Sequence, residues 1–113
     1  RRKNAAAYCA ALNKKDIILP EVTEGSEHVF HQFTIRAAQR DVIANALTEN
    51  NIASAVYYPV PLHQQEVFLK LYNSAINLPV SEQCAKEVIS LPMFPELTGS
   101  EIQLIADIIN SAF

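Results

Sequence analysis

Glycine is nearly missing from this chain, with two among 113 residues, Gly25 and Gly99. A loop that cradles phosphate needs glycines so that backbone N–H groups can close on the anion, which excludes a Walker-type loop and a dinucleotide fingerprint. A glycine-flanked nucleophile elbow is excluded for the same reason. Long apolar runs are also absent, and nothing approaches the ~20 residues needed to cross a bilayer as a helix. No membrane partner is expected. Positive charge is not in excess: 9 Lys and Arg stand against 12 Asp and Glu, a net charge of −3. Neither Lys nor Arg repeats more than twice in a row. Binding of nucleic acid through phosphate neutralisation is therefore not expected.

Cysteine is scarce as well. Cys9 and Cys84 both fall on apolar helical stripes, where a thiol acts as a small hydrophobe. That placement gives no disulfide framework and points to a reducing, cytoplasmic setting. Three histidines, His28, His31 and His63, raise the question of a metal. Residues three apart on a strand point to opposite faces, so His28 and His31 do not converge on one ion, and no metal site is expected. No Ser/His/Asp or Cys/His set suggests nucleophilic catalysis. Taken as a free-standing object, the chain does not read as a complete enzyme.

What is present is an ordinary globular composition, 50% hydrophobic and 19% charged, in a length that suits one domain. The chain opens on Arg1-Arg2-Lys3-Asn4, without Met or a capping residue, directly into a helical pattern. This reads as a cut inside a longer chain. Ala5, Tyr8, Cys9 and Leu12 follow the spacing of an amphipathic helix over 1–13, with Lys14 and Lys15 placed to favour its C-terminus. Ile17-Ile18-Leu19 reads as a short strand ended by Pro20, and Glu24-Gly25-Ser26 as a turn. Alternation over His28–Arg36 predicts a strand with Val29, His31, Phe33 and Ile35 on its core face. Asp41 is expected to cap a helix carrying Val42, Ile43, Ala46 and Leu47, which ends at Asn50-Asn51.

Ile52 to Tyr58 reads as a third strand, stopped by Pro59 and Pro61, neither of which can donate to a ladder. The prolines stiffen the exit and hold Tyr58 and His63 at a defined separation, as a ligand-facing wall requires. The alternative is a proline-punctuated loop with a locally bonded histidine. Val67, Phe68, Leu71 and Tyr72 predict a short helix packed through one side. Ser81 is expected to cap another, with Cys84, Ala85, Val88 and Ile89 facing inward until Pro92. Thr98 and Glu101 form a capping box, Leu97 and Ile102 a hydrophobic staple, and Ile102, Ile105, Ala106, Ile109 and Phe113 a stripe. The expected fold is α+β, a small, mostly antiparallel sheet of about three strands covered by helices.

Four segments together carry a resemblance. They are His28-Val29-Phe30-His31-Gln32-Phe33-Thr34-Ile35, Ile52 through Tyr58-Pro59-Val60-Pro61-Leu62-His63, Leu78-Pro79-Val80-Ser81-Glu82, and Ile89-Ser90-Leu91-Pro92-Met93-Phe94-Pro95-Glu96-Leu97-Thr98. In order and spacing these are similar to the C-terminal small domain of the DegT/DnrJ/StrS family of sugar-nucleotide aminotransferases, fold-type I enzymes that use pyridoxal phosphate. The resemblance implies that 1–13 ends an interdomain helix, that 14–113 is the small domain, and that the cofactor-binding large domain lies outside this chain. It implies a ping-pong transfer of an amino group from an amino acid, commonly glutamate, to a keto-sugar nucleotide, in a homodimer serving polysaccharide or lipopolysaccharide biosynthesis.

By the same resemblance, His63 lies beside the substrate, where it would donate to a sugar or diphosphate oxygen, and Tyr58 packs on the sugar. His31 and His28 help to shape the site. The Schiff-base lysine belongs to the large domain; none of Lys3, Lys14, Lys15, Lys70 or Lys86 stands in a matching context, so no cofactor-binding or catalytic residue is expected here. The chain departs from the family pattern at Tyr57, where many relatives have histidine, at Asn51, where glycine is common, and across 73–77, which lacks a Gly-Tyr pattern. The competing class is a non-catalytic α+β ligand-binding or interaction domain.

Overall fold

The computed structural model describes residues 1–13, 15–72 and 76–113. Its elements are α1 (Arg2–Ala11), β1 (Phe33–Arg36), α2 (Arg40–Glu49), a 3-10 turn (Leu62–Gln64), α3 (Glu66–Tyr72), α4 (Pro79–Glu87), β2 (Val88–Leu91) and α5 (Gly99–Ser111). The α+β expectation holds, and the strands are antiparallel, but the named strands number two rather than about three.

β1 and β2 pair Phe33 with Leu91, Thr34 with Ser90, Ile35 with Ile89 and Arg36 with Val88. Cross-strand partners share a face. Phe33, Ile35, Ile89 and Leu91 therefore make one apolar face, all buried, while Thr34 and Ser90 join their hydroxyls at 2.8 Å on the other. The two other expected strands shrink to single bridges flanking this pair: Ile18 to Arg36, and Ala55 to Ser90. Pro20 and Pro59 close each segment within a few residues, so neither extends into a ladder.

α1, α2 and α5 contribute to the core with the apolar sheet face. Tyr8, Ile43, Leu47 and Ile109 are wholly buried with Phe33, Ile35 and Ile89. The Tyr8 ring stacks on Phe33 at 5.0 Å between centroids, and its hydroxyl donates to the Pro92 carbonyl at 3.0 Å. Asn4 donates to the Phe94 carbonyl at 3.0 Å, and Asn110 on α5 donates to the Ala11 carbonyl at 2.9 Å. The apolar stripe of α1 thus packs onto this chain's own α5 and the 92–94 segment, with Ala5, Tyr8 and Leu12 buried. Cys9, expected on that stripe, is exposed. α1 ends at Ala11 with no basic residue in its last turn; Lys15 lies in the following turn, and Lys14 lies outside the described residues.

Several boundaries move for local reasons. Phe30 takes a left-handed φ of 46° and breaks the alternation of 28–36, so the strand starts only at Phe33. Val29 and His31 are consequently exposed rather than on the core face. Asp41 lies in the first turn of α2, one residue inside its start; Ile43 and Leu47 are buried, Val42 is exposed, and Asn51 exits with φ 58° as its type allows. α4 starts at Pro79, suited to a first helical position because it lacks an N–H, so Ser81 is not its cap. That helix stops at Glu87, and Val88 and Ile89, expected on it, belong to β2. α5 begins as expected: Thr98 Oγ1 accepts from the Glu101 N–H at 3.3 Å and Glu101 accepts from the Thr98 N–H at 2.8 Å. Leu97 and Ile102 are both buried, whereas Phe113 falls beyond the helix and is partly exposed.

Candidate functional site

Pro61 initiates the 3-10 turn. Its φ of −59° and ψ of 148° carry the chain in extended, and its carbonyl accepts from the Gln64 N–H at 2.9 Å. This turn buries His63, although α3 immediately after it has no buried residue. Of the four residues expected to pack through one side, Phe68 is half-buried while Val67, Leu71 and Tyr72 are exposed, Leu71 at 69%. Between the 57–65 stretch, α3 and α4 lies a cavity of about 620 Å³, lined among others by Tyr57, Tyr58, His63, Phe68 and Ala85.

His63 Nε2 meets Glu82 Oε1 at 3.0 Å, and the same oxygen accepts the Leu78 N–H at 3.1 Å. The His63 hydrogen bond first, and the Leu78 N–H second, hold the Glu82 carboxyl below the usual carboxylate range. Tyr58 lines the same cavity and is 73% exposed, so its ring and hydroxyl are open to a ligand.

The structure divides the four expected site residues. Tyr58 and His63 share the large cavity. His31 lines a second one, of about 480 Å³, with Gln32, Ser54 and Ser90; Tyr57 borders both cavities. His31 Nδ1 lies 3.2 Å from the Arg1 guanidinium. His28 lines neither cavity. Its Nδ1 accepts the Phe30 N–H at 2.8 Å and its ring rests on Phe30 at 4.2 Å, so it serves the left-handed kink. Sequence reasoning missed Glu82, although the Leu78–Glu82 segment that holds it is one of the four that carry the resemblance. It also passed over Tyr57, noted only as a departure. The 73–75 part of the departure noted at 73–77 lies outside the described residues.

Pyridoxal phosphate requires an amine for its imine and cations or N–H donors for its phosphate. No Lys or Arg is among the described residues lining either cavity. Lys70 on α3 is exposed and pairs with Glu66. The described residues lining these cavities do not by themselves fit the cofactor. What the arrangement offers is an aromatic and apolar wall with one oriented imidazole.

A small antiparallel sheet packed with helices is an architecture this chain shares with a solved aminotransferase structure. The chain belongs to the DegT/DnrJ/EryC1/StrS aminotransferase family, whose profile matches residues 1–110. It is 47% identical over 110 residues to the UDP-N-acetyl-3-dehydro-α-D-glucosamine 3-aminotransferase of Acidithiobacillus ferrooxidans, covering 97% of this chain and 29% of that protein. It is 46% identical over 110 residues to a pleiotropic regulatory protein of Geobacillus stearothermophilus, covering 95% of this chain and 30% of that one. Among solved structures, S. venezuelae DesV in complex with a ketimine intermediate superposes with a TM-score of 0.87 at 29% identity, over 96% of this chain and 30% of DesV. The chain thus spans about three tenths of the relatives it matches.

Proposed function

We propose that this chain is the C-terminal domain of a pyridoxal-phosphate-dependent aminotransferase that moves an amino group from an amino acid, glutamate, to a keto-sugar nucleotide. Residues 1–13 end the helix leading from a large domain, residues 14–113 form the small domain, and the cofactor and its lysine reside in the large one. The assembly is a cytoplasmic homodimer, and this domain supplies one wall of the site near the dimer interface. Tyr58 and His63 face the sugar nucleotide, His31 borders the site from the neighbouring cavity, and His28 acts through the kink at Phe30.

One observation carries the reading. A relative that acts on a UDP-linked 3-dehydro sugar matches 97% of this chain at 47% identity. The aromatic wall around His63 supports it, since tyrosine rings suit the apolar faces of a sugar and their hydroxyls suit its edges. Transfer to the sugar nucleotide proceeds in the full-length parent and not in the 113-residue chain. Borohydride reduction of this chain with pyridoxal phosphate, followed by mass spectrometry, tests the assignment. No single lysine should be labelled stoichiometrically; such labelling would place the cofactor lysine here and overturn the division of labour.

A further inference from the structure

Glu82 engages one of the two ring nitrogens of His63. An ionised carboxylate only accepts hydrogen bonds, so in the 3.0 Å contact Nε2 must be the donor. Glu82 is in turn locked to the start of α4. Its Oε1 accepts the Leu78 N–H at 3.1 Å, and its own N–H donates to the Leu78 carbonyl at 3.0 Å. Nδ1 of His63 has no partner among the described residues. No described buried side-chain nitrogen or oxygen is left without a partner, so Nδ1 is not sealed away, and His63 lines the large cavity.

We infer that Glu82 is a positioning residue that holds His63 as its Nε2–H tautomer and presents the Nδ1 lone pair to the ligand. This rests on reading the cavity as the sugar-nucleotide wall. It also revises the expectation that His63 donates to the substrate. In the Nε2–H tautomer the one N–H is engaged by Glu82, so the exposed nitrogen is an acceptor. Its complement is a hydroxyl group of the sugar; a phosphate oxygen, which only accepts, would find no proton there.

Two measurements test this. In the 113-residue chain labelled with [15N]histidine, a long-range 1H–15N correlation reads the tautomer of each ring. His63 should be Nε2–H in the wild type and a mixture in Glu82→Ala. A wild-type Nδ1–H form or mixture overturns the proposal, and that spectrum requires no variant to fold. In the full-length parent, Glu82→Ala should lower kcat/KM for the sugar nucleotide about three- to tenfold, the scale of one oriented neutral hydrogen bond. In a His63→Ala background the same change should lower it less than about twofold, since the two act as a unit. Equal losses in both backgrounds would make Glu82 a structural residue of α4 and overturn its positioning role. An unchanged kcat/KM in His63→Ala would overturn the sugar-facing reading and the ligand role of Nδ1 with it, while the spectrum still reports whether Glu82 holds the ring.

Discussion

Tyr8 ties helix, sheet and loop together through one side chain. Its ring is buried against Phe33, and its hydroxyl reaches the Pro92 carbonyl just beyond β2. Burial first, and the Glu101 charge second, push its phenol well above the usual value, so it stays protonated as a donor. Tyr8→Phe keeps the packing and removes only that donor, and should cost about 0.5–1.5 kcal/mol in urea denaturation. Tyr8→Ala should cost about 3–5 kcal/mol through the cavity it leaves. Similar small losses for both would mean that α1 contributes little to the core. The placing of His63 and Tyr58 beside one cavity was legible because the prolines around them announce a rigid exit. Glu82 was not, because its partner lies nineteen residues away and only tertiary contact joins them.

The same contrast holds for the elements. α5 was legible from its start through Ile109, with only Phe113 misplaced, because its signals are local: a capping box, a staple and a stripe at helical spacing. Thr98→Ala should cost about 0.5–2 kcal/mol, read as a shift in the denaturation midpoint; an unchanged midpoint would mean that the helix starts elsewhere. The box also carries a pH dependence. The Thr98 hydroxyl and N–H hold the Glu101 carboxyl below its usual range, so its native pKa lies under the unfolded one. The unfolded chain then binds more protons as the medium is acidified. Stability from this group is complete above the unfolded carboxylate value, about 4.3, and is lost as pH falls through the native value. The drop in midpoint between pH 6 and pH 3 should be smaller in Glu101→Gln (about these pH values, bracketing the carboxylate range). An identical drop would contradict the assignment. β2 was illegible for the opposite reason. Cys84, Ala85, Val88 and Ile89 satisfy a helical stripe, and a four-residue strand lacks the length to announce itself. Pairing with β1 on one side and the Ala55 bridge on the other decide the conformation of Val88–Leu91. At β1, Phe30 in the left-handed region cuts the alternation short, a choice side-chain pattern does not encode.

Across the whole molecule, much of the exposed apolar surface falls in one stretch, between Tyr57 and Val80. The radius of gyration is 15.8 Å, against about 13 Å for a compact chain of this length. Tyr58, Leu71 and Val80 are 73%, 69% and 75% exposed, all within the segment that borders the large cavity. The family was legible because its motifs sit in that segment and in the stretches that carry β1 and β2, in an order composition alone could not supply. On the proposed function, this wall reads the sugar nucleotide and leaves the amino donor alone. Single-turnover kinetics of the two half-reactions in the full-length parent test it most directly. His63→Ala should slow the half-reaction with the sugar nucleotide about ten- to a hundredfold, because a desolvated sugar hydroxyl loses its acceptor. The half-reaction with the amino donor should change less than about twofold, since no hydrogen bond to that smaller substrate is removed. Equal losses in both half-reactions, or none in either, would contradict the account.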